Sequence, residues 1–378
     1  EPAVREMGLR AVAGAVQENN PTVQALRENA ESIEESGSLA GASGGSGSVS
    51  PIDILNAQIQ GLEQAMQGLD TESDLYKTYA VQKSLLEAQV EELEGSLSSS
   101  MAQGEMALLQ LGDAAYQVRR QADNIEGQLA QTAQTLLITI QNLKYNRGQL
   151  ERQLASLDRT IDVAEVQLSI GTISQYQMDL YRNQRDNLAR TIDTLQTQCE
   201  SLGSSIALLC GYDADTVVMP STLAPVYDSQ LREMSYEDDL ELAKQNSFSI
   251  WQKRSELRQA QNAYDEDISG TDYAVQSAKD ALAAEQQAVE SSFGTIFQGV
   301  ADSRAALDAA RTAEQQAELD FRTSQVQYSR GMISELAYRQ AQDTLENAKD
   351  AVEIAQLNLT SAYNQYEWAK QGVMTTAA

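Results

Sequence analysis

The sequence has no histidine, only two cysteines and five prolines, and 6% aromatic residues over 378 positions. Without histidine, the chain offers neither imidazole acid–base catalysis nor a His-ligated metal site. The low proline and aromatic content argues against a β-sandwich or a β-barrel. No P-loop, G-x-S-x-G, HExxH or CxxC motif is present, so we predict that the protein is not an enzyme and needs no metal or cofactor.

Positive charge and long apolar runs are also scarce. The formal net charge is −28, which disfavours binding to nucleic acids and anionic lipid headgroups. No run of about 18 apolar residues occurs, so the sequence predicts no membrane-spanning helix. The sequence begins at Glu1 rather than at methionine, and we expect an exported protein of the periplasmic or cell-wall space whose signal sequence has been removed.

What is present is a long helical pattern in which apolar residues recur at steps of three, four or seven. One such row covers residues 118–168 and a second covers residues 181–209. The same arrangement returns at residues 289–321 and 345–369. A spacing of about 3.5 residues indicates helices packed as in a coiled coil, so each pair of rows predicts an antiparallel helical hairpin. Cys199 falls in one of these rows and is predicted to be a small buried hydrophobe.

A nine-residue motif marks the turn of each hairpin. The letters VQLSIGTIS at residues 166–174 return as VQYSRGMIS at residues 326–334, with six of nine identical. Self-similarity of this kind predicts an internally duplicated architecture. Beyond the turn the copies align only with a gap of three residues, which we place in the first turn.

The duplication predicts how the chain is divided. Repeat 1 covers residues 1–211 and contains an insert at residues 36–100, with a Gly/Ser-rich linker followed by a helical hairpin. An irregular, proline-bearing linker covers residues 212–235. Repeat 2 covers residues 236–372, and residues 373–378 form a disordered tail.

The order of these parts resembles the TolC family of export ducts. That family is built from two repeats, each with a short helix pair, a very long helix, a turn like Y-x-x-G-x-x-S and a long return helix. Repeat 1 of the family ends in a Leu-Leu-Gly-like segment. The matching segments here are AVQENNPTVQALRENA (15–30), SIGTIS (169–174), IALLCG (206–211), LELAKQNSFSI (240–250) and YSRGMIS (328–334).

The resemblance implies a homotrimer whose long helices form a tapering hollow cylinder. The cylinder is closed at the turn end until a HlyD-type adaptor docks there, and a membrane transporter of the ABC or RND type feeds that adaptor. The family also has strands that form an outer-membrane barrel, but neither residues 36–100 nor 263–274 contain an alternating run of about ten residues. We therefore predict an all-α fold without these strands, either by nature or because they were removed.

We expect the two turns to carry the function. Gly171 and Gly331 would supply the left-handed conformation that ends one helix, and Ser174 and Ser334 would cap the next. The alternative is that these residues only form a tight turn. The predicted adaptor-docking residues are Gly171, Thr172, Ile173, Ser174, Gly331, Met332, Ile333 and Ser334, with the two isoleucines as exposed apolar anchors.

A gate beside the turns is the second candidate site. The resemblance implies that Tyr328, three residues before the second glycine, helps to lock a closed state. Tyr338, Arg339 and Asp343 in the return helix are further candidates, but a solvated helix face explains them equally well. Tyr181 and Arg182 are the residues of repeat 1 that align with Tyr338 and Arg339.

Two other functions are consistent with this composition. One is a structural coiled-coil protein, such as a flagellin-like or surface-layer rod, and the other is a helical toxin that inserts into membranes. The absence of an apolar hairpin counts against the toxin. The duplicated turn favours the duct, because a rod has no need of two similar turns.

Overall fold

The computed structural model describes residues 3–42, individual positions between 59 and 90, and residues 106–213, 215–264 and 270–374. Helices dominate these residues, so the predicted helical fold is confirmed. Among the described segments, no helix has a stretch both long and apolar enough for a membrane span. The labelled elements are β1 (Ala3–Met7), α1 (Leu9–Asn19), α2 (Pro21–Ala42), α3 (Met106–Ser169), α4 (Gln175–Leu209), β2 (Thr216–Pro220), α5 (Asp228–Arg232), α6 (Tyr236–Asn246), α7 (Phe248–Asn262), α8 (Thr271–Ser329) and α9 (Glu335–Lys370).

The two predicted hairpins are present. Hairpin 1 consists of α3 and α4, with 64 and 35 residues, and hairpin 2 consists of α8 and α9, with 59 and 36 residues. Phe293, Val300 and Leu307 lie on one buried row of α8 at steps of seven. Burial of a side chain such as Phe293 stabilises the fold by roughly 2–3 kcal/mol, so this row holds α8 against α9 and α6.

The chain divides into two compact units. Unit 1 comprises Glu1–Leu9, Gln131–Ile206 and Ala214–Ala378, and it contains both turns. Unit 2 comprises Arg10–Ala130 and Ala207–Asp213. Within unit 2, α2 packs against the first part of α3 through a small apolar cluster. That cluster contains Ala30, Ile33, Ala115 and Val118.

The segment predicted as an irregular linker, residues 212–235, contains regular structure, so that part of the prediction is wrong. Strand β2 pairs in parallel with β1, with Ala3 opposite Thr216 and Met7 opposite Pro220. Val217 and Val218 are both buried. A strand buried on both faces shows no apolar–polar alternation, which is why the sequence pattern did not reveal it.

Helix α4 packs directly on this strand at Gly203. A β-carbon at Gly203 would lie 2.6 Å from Val217 Cγ1 and 2.7 Å from the Val218 carbonyl oxygen. We therefore expect Gly203→Ala to destabilise the protein by about 1–3 kcal/mol in urea unfolding, because overpacking outweighs the better helix propensity of alanine. Gly299→Ala in α8 is the control, since nothing lies within 4 Å of its added carbon. Equal unfolding midpoints for the two variants would contradict the contact.

Part of the predicted insert can be compared with the structure. Helix α2 continues to Ala42, six residues into the predicted Gly/Ser linker at 37–48, because leucine and alanine in this stretch support the helix that begins at Pro21. The described positions between 59 and 90 are helical, and Lys83 Nζ lies 2.7 Å from Glu63 Oε1. The rest of the predicted linker and inserted hairpin, and residues 375–378 of the predicted tail, lie outside the described residues.

Both cysteines are buried free thiols. Cys199 is buried in α4, as its place in the apolar row predicts. Burial raises the pKa of both thiols, that of Cys210 to about 11. We therefore expect neither native cysteine to react readily with thiol reagents at neutral pH.

Candidate functional site

The first turn, called tip 1 and comprising residues 170–174, ends α3 with a left-handed glycine. Gly171 has φ 76°, and its N–H donates to the Leu168 carbonyl at 3.0 Å. The next N–H, that of Thr172, donates to the Gln167 carbonyl at 2.9 Å. These two bonds form a Schellman motif, which satisfies the last carbonyls of the helix.

The second turn, called tip 2 and comprising residues 330–334, repeats this geometry. Gly331 has φ 70°, and its N–H donates to the Tyr328 carbonyl at 2.9 Å. The Met332 N–H donates to the Gln327 carbonyl at 2.8 Å. The letters that the two copies of the motif share therefore specify one backbone structure that occurs twice in the chain.

The two turns are equal in length, so the placement of the three-residue gap in the first turn is wrong. In hairpin 1, α3 ends at Ser169 and α4 begins at Gln175. In hairpin 2, α8 ends at Ser329 and α9 begins at Glu335. Five residues therefore separate the helices in both cases. The return helices are also almost equal in length, with 35 residues in α4 and 36 in α9. The structure therefore supports pairing the two hairpins with the same offset on both sides of the turn, without the three-residue gap.

The two serines cap the return helices as predicted. Ser174 Oγ accepts the Gln177 N–H at 3.2 Å, and Ser334 Oγ accepts the Ala337 N–H at 3.2 Å. Each cap satisfies one N–H in the first turn of its helix, which stabilises the helix by about 1 kcal/mol. The start of both return helices is therefore fixed by the repeated motif.

The two isoleucines of the motif are not the exposed anchors that the sequence suggested. Ile173 and Ile333 are both half-buried. Ile173 packs against a small core inside hairpin 1 formed by Ile161, Ala164 and Met178. Ile173 precedes the cap residue Ser174 and contacts Met178, the fourth residue of α4. This arrangement is a hydrophobic staple, which fixes the direction in which the chain enters the helix.

Other apolar side chains are exposed around the tips. Val166 and Ile170 lie one helical turn apart on the same face. In the sequence they belong to a second apolar row at 163, 166 and 170, two residues after each position of the buried row at 161, 164 and 168. This row lies outside the buried seam of the hairpin, so the heptad spacing did not predict it. The exposed apolar residues within about three helical turns of the tips are Val163, Val166, Ile170, Tyr176, Leu180, Leu319, Val326, Tyr328 and Met332.

Two of the candidate gate residues lie together in hairpin 2. The rings of Tyr328 and Tyr338 stack with centroids 4.7 Å apart and an interplanar angle of 14°. Phe321 contacts the same Tyr338 ring at 5.6 Å. In hairpin 1, Tyr181 packs instead against the aliphatic core beneath the turn. The two tips therefore share a backbone but differ in what lies beneath them.

The remaining gate candidates do not form one group with these tyrosines. Arg339 donates to Gln342 Oε1 at 3.2 Å and lies 3.7 Å from Glu335 in its own helix. Asp343 accepts a hydrogen bond from Arg159 of hairpin 1. Arg182 is placed differently again, since it pairs with Glu165 across hairpin 1 at 3.2 Å.

The polar contacts give the order of the four long helices within unit 1. Arg185 of α4 pairs with Asp158 of α3 at 3.0 Å. Arg152 of α3 donates to Asn347 of α9 at 3.1 Å and also pairs with Asp350. Helix α9 packs against α8 through their shared core. These contacts give the order α4, α3, α9, α8, in which α4 and α8 are the outer helices. The ion pairs are partly exposed, so each contributes at most about 1 kcal/mol.

The fold is similar to that of several solved outer-membrane and membrane proteins. The outer membrane protein VceC from Vibrio cholerae is 12% identical over 97% of this chain and 96% of that chain, with a TM-score of 0.52. CusC is 11% identical over 97% of this chain and 96% of its own, with a TM-score of 0.52. A membrane protein from Pseudomonas aeruginosa is 12% identical over 97% of this chain and 90% of its own, with a TM-score of 0.51. No protein-family model matches the chain, and no curated protein is significantly similar to it. At this level of identity the likeness establishes the fold.

Proposed function

We propose that this chain, which has the TolC-like fold, is one subunit of a passive homotrimeric export duct in the cell envelope. The proposal rests chiefly on one observation, the repetition of the same capped turn at the ends of two long hairpins. A duct that meets a partner end to end needs such matched turns at its rim. We further propose that the partner is a HlyD-type adaptor, fed by a membrane transporter of the ABC or RND type.

Negative-stain imaging of the purified protein tests the duct against the rival functions. We expect hollow, tapered particles with threefold symmetry. Solid rods or filaments would support the structural coiled-coil protein instead, and compact monomers would contradict both.

The two outer helices of unit 1 support assembly into a closed ring. Tyr176 of α4 lies five residues after Gly171, and Val326 of α8 lies five residues before Gly331. Tyr176 is the second residue of α4 and Val326 is the fourth residue from the end of α8, so at 1.5 Å per residue both lie within about 5 Å of the helix end that borders their turn. Both are exposed in the single chain. A contact between two different surfaces of identical subunits is heterologous, and it closes into a ring when the rotation permits.

Disulfide cross-linking tests this contact between subunits. We expect the double variant Tyr176→Cys/Val326→Cys to give, after oxidation, a ladder of covalent species that stops at the trimer on a denaturing gel. Within one subunit the two positions are separated by two helices, roughly 25 Å at 8–10 Å per helix pair, which is too far for a disulfide.

Each single variant is the control for the ladder and should form no species larger than a dimer. The native Cys199 and Cys210 are buried, so they should not contribute. A ladder that continues beyond the trimer, or the absence of any cross-link, would contradict the proposed ring.

For the gate, we propose that the stack of Tyr328 on Tyr338 holds tip 2 in one conformation. Tyr338→Ala should remove this stack and its contact with Phe321, each worth about 1 kcal/mol. Amide hydrogen exchange over residues 322–338 should therefore accelerate about fivefold or more. Exchange in tip 1 is the internal control and should not change. An unaltered rate in tip 2 would show that the stack does not restrain it.

A further inference from the structure

The two copies of the turn motif differ at three of nine positions, and at two of these positions the residues of both copies are exposed. Leu168 packs into the core beneath tip 1, and its counterpart Tyr328 stacks on Tyr338. The other two differences replace Ile170 by Arg330 and Thr172 by Met332. Because the backbones of the two turns match, these exchanges change the side chains that the surface presents without changing the backbone beneath them.

Tip 1 presents an apolar surface. Ile170 is 68% exposed, and Val166, one turn earlier on the same face of α3, is 63% exposed. Tyr176 in the first turn of α4 is also exposed. The hydroxyl of Thr172 donates to the Gln167 carbonyl at 2.9 Å, so it has already found a partner within the turn. A binding partner would bury apolar area here and would gain about 25 cal/mol per Å².

Tip 2 places a cation at the equivalent point. Arg330 is exposed, and no ion pair joins it to any carboxylate in the described part of the chain. The nearest acid in sequence, Glu335, lies 3.7 Å from Arg339 instead. A partner that covered Arg330 without a carboxylate would leave a desolvated guanidinium unpaired, which is costly. A carboxylate would form a charge-assisted pair with it.

We propose that the docking partner presents different chemistry at one equivalent point of the two tips: an apolar surface opposite Ile170 of tip 1, and an Asp or Glu side chain that pairs with Arg330 of tip 2, beside apolar contacts to Val326 and Met332. The inference rests on the proposed docking function and specifies the chemistry of the partner. Arg330 also lies at the C-terminus of α8, where a cation favours the helix dipole. That local role would not make binding to a partner sensitive to salt, so the two roles can be separated.

The test measures binding of the intact protein to an immobilised, purified HlyD-type adaptor from the same cell, at about 50 mM and about 500 mM salt. Arg330→Glu should weaken binding about tenfold or more at low salt, and should remove much of the loss that high salt causes in the unaltered protein. Arg311→Glu makes the same charge change on the same helix about 28 Å from the turn, and should bind like the unaltered protein. Circular dichroism should show all variants folded, because both arginines are exposed.

An exchange of the two residues tests whether the tips are interchangeable. Ile170→Arg/Arg330→Ile keeps the composition and the net charge of the chain, and we expect it to bind at least about tenfold more weakly, because each tip then faces the wrong surface. Binding equal to that of the unaltered protein would overturn the inference.

Ile170→Asp separates this inference from the docking proposal. If Ile170→Asp weakens binding and Arg330→Glu does not, docking at the tips stands and the carboxylate contact is overturned. If neither variant changes binding, or if the adaptor does not bind the unaltered protein, docking itself is overturned and the inference with it.

Discussion

Alanine at Gly372 should destabilise the protein by roughly 2–5 kcal/mol, and it should do so far from the tips. Gly372 follows α9 with φ 83°, a conformation that costs an L-residue about 1–2 kcal/mol. An added β-carbon would also lie 2.4 Å from the Asn246 carbonyl carbon and 2.7 Å from the Ser247 nitrogen. Backbone atoms cannot rotate away, so overpacking adds about 1–3 kcal/mol. Urea unfolding measures the change.

Gly331→Ala is the matched control for this prediction. Gly331 has nearly the same φ, 70°, but nothing lies within 4 Å of its added carbon. It should therefore show only the conformational cost of about 1–2 kcal/mol. If the two variants were destabilised equally, the close approach of Gly372 to Asn246 would carry no energetic weight.

The contact at Gly372 has a counterpart at the end of hairpin 1. A β-carbon at Gly211, φ 68°, would lie 2.2 Å from the Asn19 carbonyl oxygen. An asparagine amide from the short helices that precede each hairpin also donates to a carbonyl in the last turn of the return helix, Asn20 to Leu209 at 2.8 Å and Asn246 to Lys370 at 2.9 Å. The duplication therefore fixes both ends of each hairpin, the turn end and the end of the return helix.

Local periodicity accounts for what the sequence could predict. The spacing of Phe293, Val300 and Leu307 is a property of one helix, and it identified the buried row before any neighbour was known. The glycine and serine of each turn act within about six residues, so a nine-letter motif was sufficient to predict the turn geometry.

The missed features depend on distant partners or on which side of a helix faces solvent. Strand β2 exists because β1, more than 200 residues earlier in the chain, pairs with it. Ile173 looks like an exposed anchor until Met178 covers it. Asp343 looks like a member of a local gate until Arg159 from the other hairpin pairs with it. The burial of Ile173 follows a local pattern, the hydrophobic staple, which the sequence prediction did not apply. The pairing of β2 and that of Asp343 have no local pattern, because tertiary contacts decide them.

The prediction with the largest functional effect is valine at Gly331. A β-branched residue is a severe outlier at φ 70°, so tip 2 should leave its Schellman geometry and lose the hydrogen bonds of Gly331 and Met332 to the last turn of α8. The cores that hold the helices lie farther along hairpin 2 and include Phe293, 38 positions before the glycine. We therefore expect the helix content by circular dichroism to be unchanged and binding to the HlyD-type adaptor to be abolished, with export lost as a consequence.

Gly299→Val is the matched control, because it makes the same substitution in the middle of α8 at a position where nothing lies within 4 Å of the added carbon. Its cost is limited to a small difference in helix propensity, so adaptor binding should persist. Gly171→Val should behave like Gly331→Val, since tip 1 has the same hydrogen bonds and φ 76°. Retained adaptor binding and export by both tip variants would mean that the repeated motif is only a helical turn, and the docking surface would then have to lie elsewhere on the protein.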